Sequence, residues 1–223
     1  LPEKVPYVLN PELTPKQKKL YHQIKKEWRI GDKDLSYTME QISKGRQLLD
    51  GFIYMDDDEV MRVPCEKSSL LGRLLSTKLA HKKKIVIFAA FRESLKIIGE
   101  VCEKVGRKSV LYYGGLSISE QVYSINRFRD EEEIEVFICQ GGCAVGLNEL
   151  VVSNVAIYYS NTDKRRDRAQ SEKRQIRPTQ EAPQSYIFDL VTPNTYDSII
   201  YKRLQDKESR SMMLLSPKDV YHD

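Results

Sequence analysis

The chain reads as an α/β protein built on a parallel sheet covered by helices on both faces. Two observations carry this. From Lys84 onward, short apolar runs alternate with amphipathic ones, the β-α-β pattern of a buried parallel sheet. The runs are apolar at successive positions rather than at every second one, so both faces of each strand are expected to be covered. The sequence has 223 residues, of which 40% are hydrophobic and 30% charged, enough for one large domain or a domain plus an extension.

The first 78 or so residues read as helical. Thr14-Pro15-Lys16-Gln17 supplies an N-cap, a proline at the first helical position and a capping-box glutamine. Leu20, Ile24 and Trp28 follow at spacing four, and Gly31 is placed to end the helix. A second helix is expected through Met39, Ile42, Leu48 and Leu49 to Gly51, and a third through Leu70, Leu71, Leu74, Leu75 and Leu79. Between them, Phe52 to Glu59 is an apolar strand with an acidic end, and residues 52–63 are read as a hairpin or acidic loop. A magnesium nucleotide would need G-x-x-x-x-G-K-[ST] beside it, and no glycine here is followed by Lys and then Ser or Thr.

Strands are then expected over Ile85–Ala90, Ser109–Tyr113, Ile134–Cys139, Val155–Ser160 and Ser185–Val191. Helices fall between them: Leu95 to Val105 stopped by Gly106, one through Val122, Ile125 and Phe128, one from about Lys164, and a closing one over Tyr196–Leu204. The expected boundary lies near residues 78–84, which divides the chain into a helical extension (1–83), an α/β lobe (84–210) and a tail (211–223).

The longest apolar run, Ile85 to Phe91, has seven residues against the roughly 18 that span a bilayer, so no membrane partner is expected. Leu1 is not an initiator methionine and no signal peptide is visible, so the chain is expected to be a piece of a longer one. The four cysteines form no C-x-x-C pair and the three histidines are scattered, so reduced intracellular thiols and no metal site are expected. The net charge of +4 is small, but Asp163 to Arg177 carries seven Lys/Arg against three Asp/Glu and so equals the whole excess. That concentration points to a local anion site.

The same segment holds Gln170, Arg174 and Arg177, steps of four and three that would share one helix face, with Gln180 beyond. Planar guanidinium groups suit the oxygens of a phosphoryl group in transfer. Two glycine-bearing strand ends precede it. One is Gln140-Gly141-Gly142-Cys143-Ala144-Val145-Gly146-Leu147-Asn148, and the other is Tyr112-Tyr113-Gly114-Gly115. Glycines there let backbone N–H groups approach phosphate closely. Lys84 to Phe91 ends in an aromatic residue, with Arg92 just beyond.

Taken in order, these four stretches resemble the motifs of the second RecA-like lobe of superfamily-two helicases and translocases. The Q-x-x-x-R-x-x-R spacing with Gln180 is most similar to the SWI/SNF-type DNA-dependent ATPases. The sequence departs from that pattern at Ala144 and Glu149, where Gly and Leu are usual, and Lys173 stands where other helicase branches carry Gly. The resemblance covers roughly 84–205, and the region before it is similar, more loosely, to the segment leading into the second lobe.

The resemblance implies that Arg174 and Arg177 are arginine fingers for ATP hydrolysis and that Gln170, Gly146 and Asn148 lie at the nucleotide. It implies contacts from Arg92, Gly114, Gly115, Gln140, Gly141 and Gly142 to the phosphates of double-stranded DNA. ATP and Mg²⁺ would be held mainly by a first RecA-like lobe of the same polypeptide, so this lobe alone, expected to be a monomer, would be inactive. Two other readings remain: a lobe of an RNA or DNA unwinding helicase from another branch, and a degenerate RecA-like binding module. A free-standing Rossmann-type enzyme is excluded, since no strand is followed by G-x-G-x-x-G.

Overall fold

A computed structural model describes residues 1–27, 29–30, 33–34, 38–56, 59–143 and 147–206. The expected elements at Trp28, Gly31, Asp57, Asp58 and the 211–223 tail lie outside these residues. Contacts divide the chain into two units, Leu1–Leu9 with Ser68–Leu190, and Asn10–Lys67 with the chain from Val191 onward.

The first unit is a six-stranded parallel sheet. Its strands are β1 (Glu3–Leu9), β6 (Ile85–Ala89), β7 (Lys108–Tyr112), β8 (Ile134–Gln140), β9 (Val155–Tyr158) and β10 (Gln184–Leu190), in the spatial order β1-β10-β9-β6-β8-β7. Every residue of β6 is buried, which is why its sequence is apolar without alternation. Ile85, Ile87 and Ala89 face a core shared with α3 (Glu66–Ser76) and α4 (Arg92–Lys104) through Leu71, Leu74, Leu75, Leu95 and Ile98. Val86 and Phe88 face the opposite core with Phe128 of α5 (Ile118–Asp130). Helices therefore cover both faces, as the sequence predicts. Gly106, at φ 75°, ends α4 where a side chain would be strained.

One strand departs from expectation. Residues 3–9, expected within a helical extension, form β1 and pair with β10 from Glu3 opposite Gln184 to Leu9 opposite Leu190. Val5, Tyr7 and Leu9 are half-buried and the residues between them exposed, the period of a strand. Pro6 is tolerated because β1 is an edge, where one row of N–H groups has no partner strand. The contact division also sets α7 (Tyr196–Gln205), expected within the α/β lobe, in the second unit.

The second unit holds α1 (Pro15–His22), α2 (Thr38–Leu49), α7 and two small antiparallel pairs, β2 (Arg29–Ile30) with β3 (Lys33–Asp34) and β4 (Phe52–Tyr54) with β5 (Val60–Arg62). The capping box is made, with Gln17 N donating to Thr14 Oγ1 at 3.2 Å and Thr14 N to Gln17 Oε1 at 3.1 Å. The strands on either side of the acidic residues, β4 and β5, pair antiparallel. Gly45 is required by packing, since a Cβ there would sit 2.4 Å from the Tyr196 ring. Lys67 is buried between Asp50 Oδ1 at 3.0 Å and Asp197 Oδ2 at 2.7 Å. Burial opposes its charge, but the two carboxylates outweigh that and raise its pKa. Among the described residues no helix is long and apolar enough to cross a membrane.

Candidate phosphate-facing site at the strand ends

Parallel strands bring their carboxyl ends to one edge, so the loops after β6, β7, β8 and β9 share a neighbourhood. Gln140 Nε2, at the end of β8, donates to Ala90 O after β6 at 3.2 Å. Ala90 N donates to Ser160 Oγ after β9 at 2.9 Å. Arg92 opens α4 and lays its guanidinium over the Tyr113 ring, 5.3 Å from the centroid. A Cβ on Gly115 would come 2.8 Å from Arg92 Nη2, so this glycine makes room for the guanidinium. Gly114 lies beside Cys143, whose Sγ would be 3.5 Å from a Cβ there. Gly141 and Gly142 form a 3₁₀ turn with Cys143, and Gly142 faces Asp167 on the helix beyond β9.

The six residues expected to meet phosphates thus gather at the carboxyl ends of β6, β7 and β8. Arg92, Gly114, Gly115 and Gly142 are exposed, and Gln140 and Gly141 half-buried. Phe91, at the N-cap of α4, makes no side-chain cap bond. By contrast, α5 is closed by a capping box between Ser117 and Glu120.

The motif helix, α6 (Arg165–Gln175), follows β9, and Lys164 at its N-cap contributes no side-chain cap either. Gln170 is half-buried on it, one turn before Arg174. Arg174 Nη1 donates to Asn148 Oδ1 at 2.9 Å, joining two separately predicted residues. Gly146 lies outside the described residues.

Arg177 corrects the single-face expectation. α6 stops at Gln175, and Ile176 leaves helical geometry at ψ 84°. Pro178 disfavours helical geometry at Arg177, the residue before it, so the helix is not expected to run through Arg177. Arg177 therefore lies past the helix end, with Nε donating back to Lys173 O at 3.1 Å. Gln180 Nε2 donates to Val151 O at 2.7 Å and Ser153 O at 2.9 Å, which pins the turn after Asn148.

The sequence reading missed Arg168. It is 6% exposed, and its guanidinium meets Asp189 through Nη1 at 2.5 Å and Nη2 at 2.9 Å. Nη1 also reaches Asn161 Oδ1 at 2.5 Å and Nε reaches Glu172 Oε1 at 2.7 Å, while Cζ lies over the Tyr158 ring, 3.4 Å from its centroid. Burial opposes the charge, but Tyr158, Asp189 and Glu172 outweigh that and raise its pKa. The available signal was Asp189, a carboxylate inside the apolar run from Tyr186 to Val191, which a buried strand must pair with some partner.

Among the described residues no group of three or more His, Cys, Asp and Glu could hold a metal ion. The guanidinium groups of Arg92 and Arg174 and the glycine turns are an arrangement suited to anionic oxygens.

The family model described as the helicase conserved C-terminal domain matches residues 66–179. Helicase swr1 of Schizosaccharomyces pombe is 24% identical over 70% of this chain, and ATP-dependent helicase fft2 of the same organism 28% over 67%. The chain spans 12% of the length of each. The solved C-terminal part of the Fun30 ATPase domain superposes with a TM-score of 0.75 at 19% identity, over 98% of this chain and 92% of that one. The Sulfolobus solfataricus SWI2/SNF2 ATPase core in complex with dsDNA gives a TM-score of 0.67 at 19% identity, over 91% of this chain and 44% of that one. The chain belongs to the helicase conserved C-terminal domain family, and its fold is that of the second, RecA-like lobe of SWI2/SNF2-type ATPases.

Proposed function

We propose that this chain is the second motor lobe of an ATP-dependent double-stranded DNA translocase. It works with a first RecA-like lobe of the same polypeptide, inside the cell. The first lobe holds the ATP phosphates and Mg²⁺, and this lobe presents Arg174 and Arg177 to the γ-phosphate when the two close. The observation that carries the reading is the 2.9 Å bond from Arg174 to Asn148, which brings the arginine motif against the glycine-turn motif. Such arginines neutralise charge that grows on the phosphoryl oxygens in the transition state, and are worth about 10³–10⁵ in rate. Arg177 lies beyond the helix end, and its side chain bonds a backbone carbonyl through Nε, so it can reorient without unwinding α6.

The DNA side uses Arg92, Gly114, Gly115, Gln140, Gly141 and Gly142. Backbone N–H groups, one guanidinium and one amide recognise phosphates without reading bases, so binding should be indifferent to sequence and sensitive to salt. Closure on ATP and opening after hydrolysis would step the lobe along the duplex. The lobe by itself has no phosphate cradle and should not hydrolyse ATP.

The test is ATP hydrolysis by the polypeptide that carries both lobes, with duplex DNA, RNA or neither, in wild type and Arg177→Ala. Duplex-stimulated hydrolysis that falls about 10³-fold in the variant, with nucleotide binding kept, is the expected result. Stimulation by RNA alone would transfer the lobe to an RNA helicase, and no hydrolysis in wild type under any condition would make it a binding module.

A further inference from the structure

Helix α6 meets its sheet in an unusual way. Its buried residues are Arg168, Ser171 and Gln175, at steps of three and four, so the whole inward stripe is polar. Each of these side chains bonds to the first unit's strands or their ends. Arg168 holds Asp189 of β10 and Asn161 after β9. The Ser171 and Tyr158 hydroxyls lie 2.7 Å apart, and Gln175 Nε2 donates to Val155 O at 3.1 Å. From the sheet edge, Lys4 of β1 reaches Glu172 at 2.6 Å, and Glu172 in turn accepts from Arg168 Nε.

Apolar contact is non-directional and tolerates sliding, whereas a hydrogen bond weakens steeply with angle. A helix docked through a planar guanidinium, with all three of its nitrogens engaged and one face stacked on a ring, has one permitted rotation and one permitted height. The residues that α6 carries on its other side, Gln170 and Arg174, inherit that placement. We propose that Arg168 is a positioning residue: through Asp189, Asn161, Glu172 and Tyr158 it fixes the register of α6, and so aims Arg174 at Asn148 and at the phosphoryl group.

This proposal rests on the arginine reading above, and its test separates the two. Arg168→Lys keeps a positive charge at the site but cannot span both Asp189 oxygens, reach Asn161 and Glu172 together, or stack flat on Tyr158. In the two-lobe polypeptide, kcat for ATP hydrolysis should fall at least tenfold in Arg168→Lys, with nucleotide affinity changed less than twofold. In the present chain, amide exchange over 165–177 should accelerate at least tenfold, with exchange in β6 and β8 unchanged. A purely structural role would instead accelerate exchange throughout the first unit and lower kcat only in proportion to the folded fraction.

Arg174→Ala is the companion variant. If it abolishes turnover while Arg168→Lys stays within twofold of wild type, the positioning proposal falls and the arginine reading stands. If Arg174→Ala leaves turnover intact, the arginine reading fails. The exchange measurement then still decides whether Arg168 holds α6: unchanged exchange over 165–177 in Arg168→Lys would overturn that too.

Discussion

Helices α4 and α6 lie against opposite faces of the same sheet and are held by opposite kinds of force. α4 buries Leu95, Ile98, Val101 and Cys102 in an apolar core, and burial pushes the Cys102 thiol up to about 12, so it behaves as a small hydrophobe. α6 buries Arg168, Ser171 and Gln175, and its apolar neighbour in the second core is Ile176, one residue past its end. The first arrangement supplies stability with little regard to exact placement. The second supplies placement, at the risk that one broken bond strands a buried charge. Arg174 rides on the second kind of helix, and Arg177 follows its end.

The comparison can be broken from either side. Asp189→Ala should have the largest effect, about 3–5 kcal/mol of stability by urea denaturation, because it leaves the Arg168 guanidinium buried without its carboxylate. Ile98→Ala on α4 should cost about 2–5 kcal/mol through its cavity, and should leave exchange in α6 in step with the rest of the unit. A larger loss from Ile98→Ala than from Asp189→Ala would invert the argument.

Acid gives a finer separation. Burial pushes the Glu172 carboxyl up, but Arg168 and Lys4 outweigh it and hold its pKa below the usual carboxylate value. A depressed folded pKa stabilises the native state above the unfolded value, about 4.3, and that stabilisation is lost as pH falls through the folded value. Below pH of about 4, amide exchange in α6, corrected for its intrinsic pH dependence, should therefore rise ahead of that in α4. The smallest effect belongs to the capped helix between them: Ser117→Ala should cost about 1 kcal/mol by losing the α5 cap, with exchange changes confined to its first turn.

The same division decides what could be read in the sequence. β6, β8 and α4 were legible because burial on both faces, or along one stripe, leaves an apolar period in the chain itself. β1 was not: its alternation is carried by Val5, Tyr7 and Leu9 alone, and Pro6 argues against a strand unless the strand is known to be an edge. The end of α6 was misplaced because the steps from Gln170 to Arg177 suit a helix, while Pro178 forbids one there. The glycines and Arg92 were legible as strand-end residues, but the fit of Gly115 beneath the guanidinium needs two loops brought together by the fold. Arg168 and Asp189 lie 21 residues apart, and nothing local in either says that they will meet.

The most direct test of the account is single-turnover ATP hydrolysis by the two-lobe polypeptide on saturating duplex DNA, comparing wild type with Arg174→Ala, with nucleotide affinity measured separately. The account predicts a rate lower by about 10³-fold or more with affinity nearly unchanged, because the guanidinium acts on charge that appears only in the transition state. A variant that hydrolyses ATP at the wild-type rate, or one that loses affinity and rate in equal measure, would contradict it.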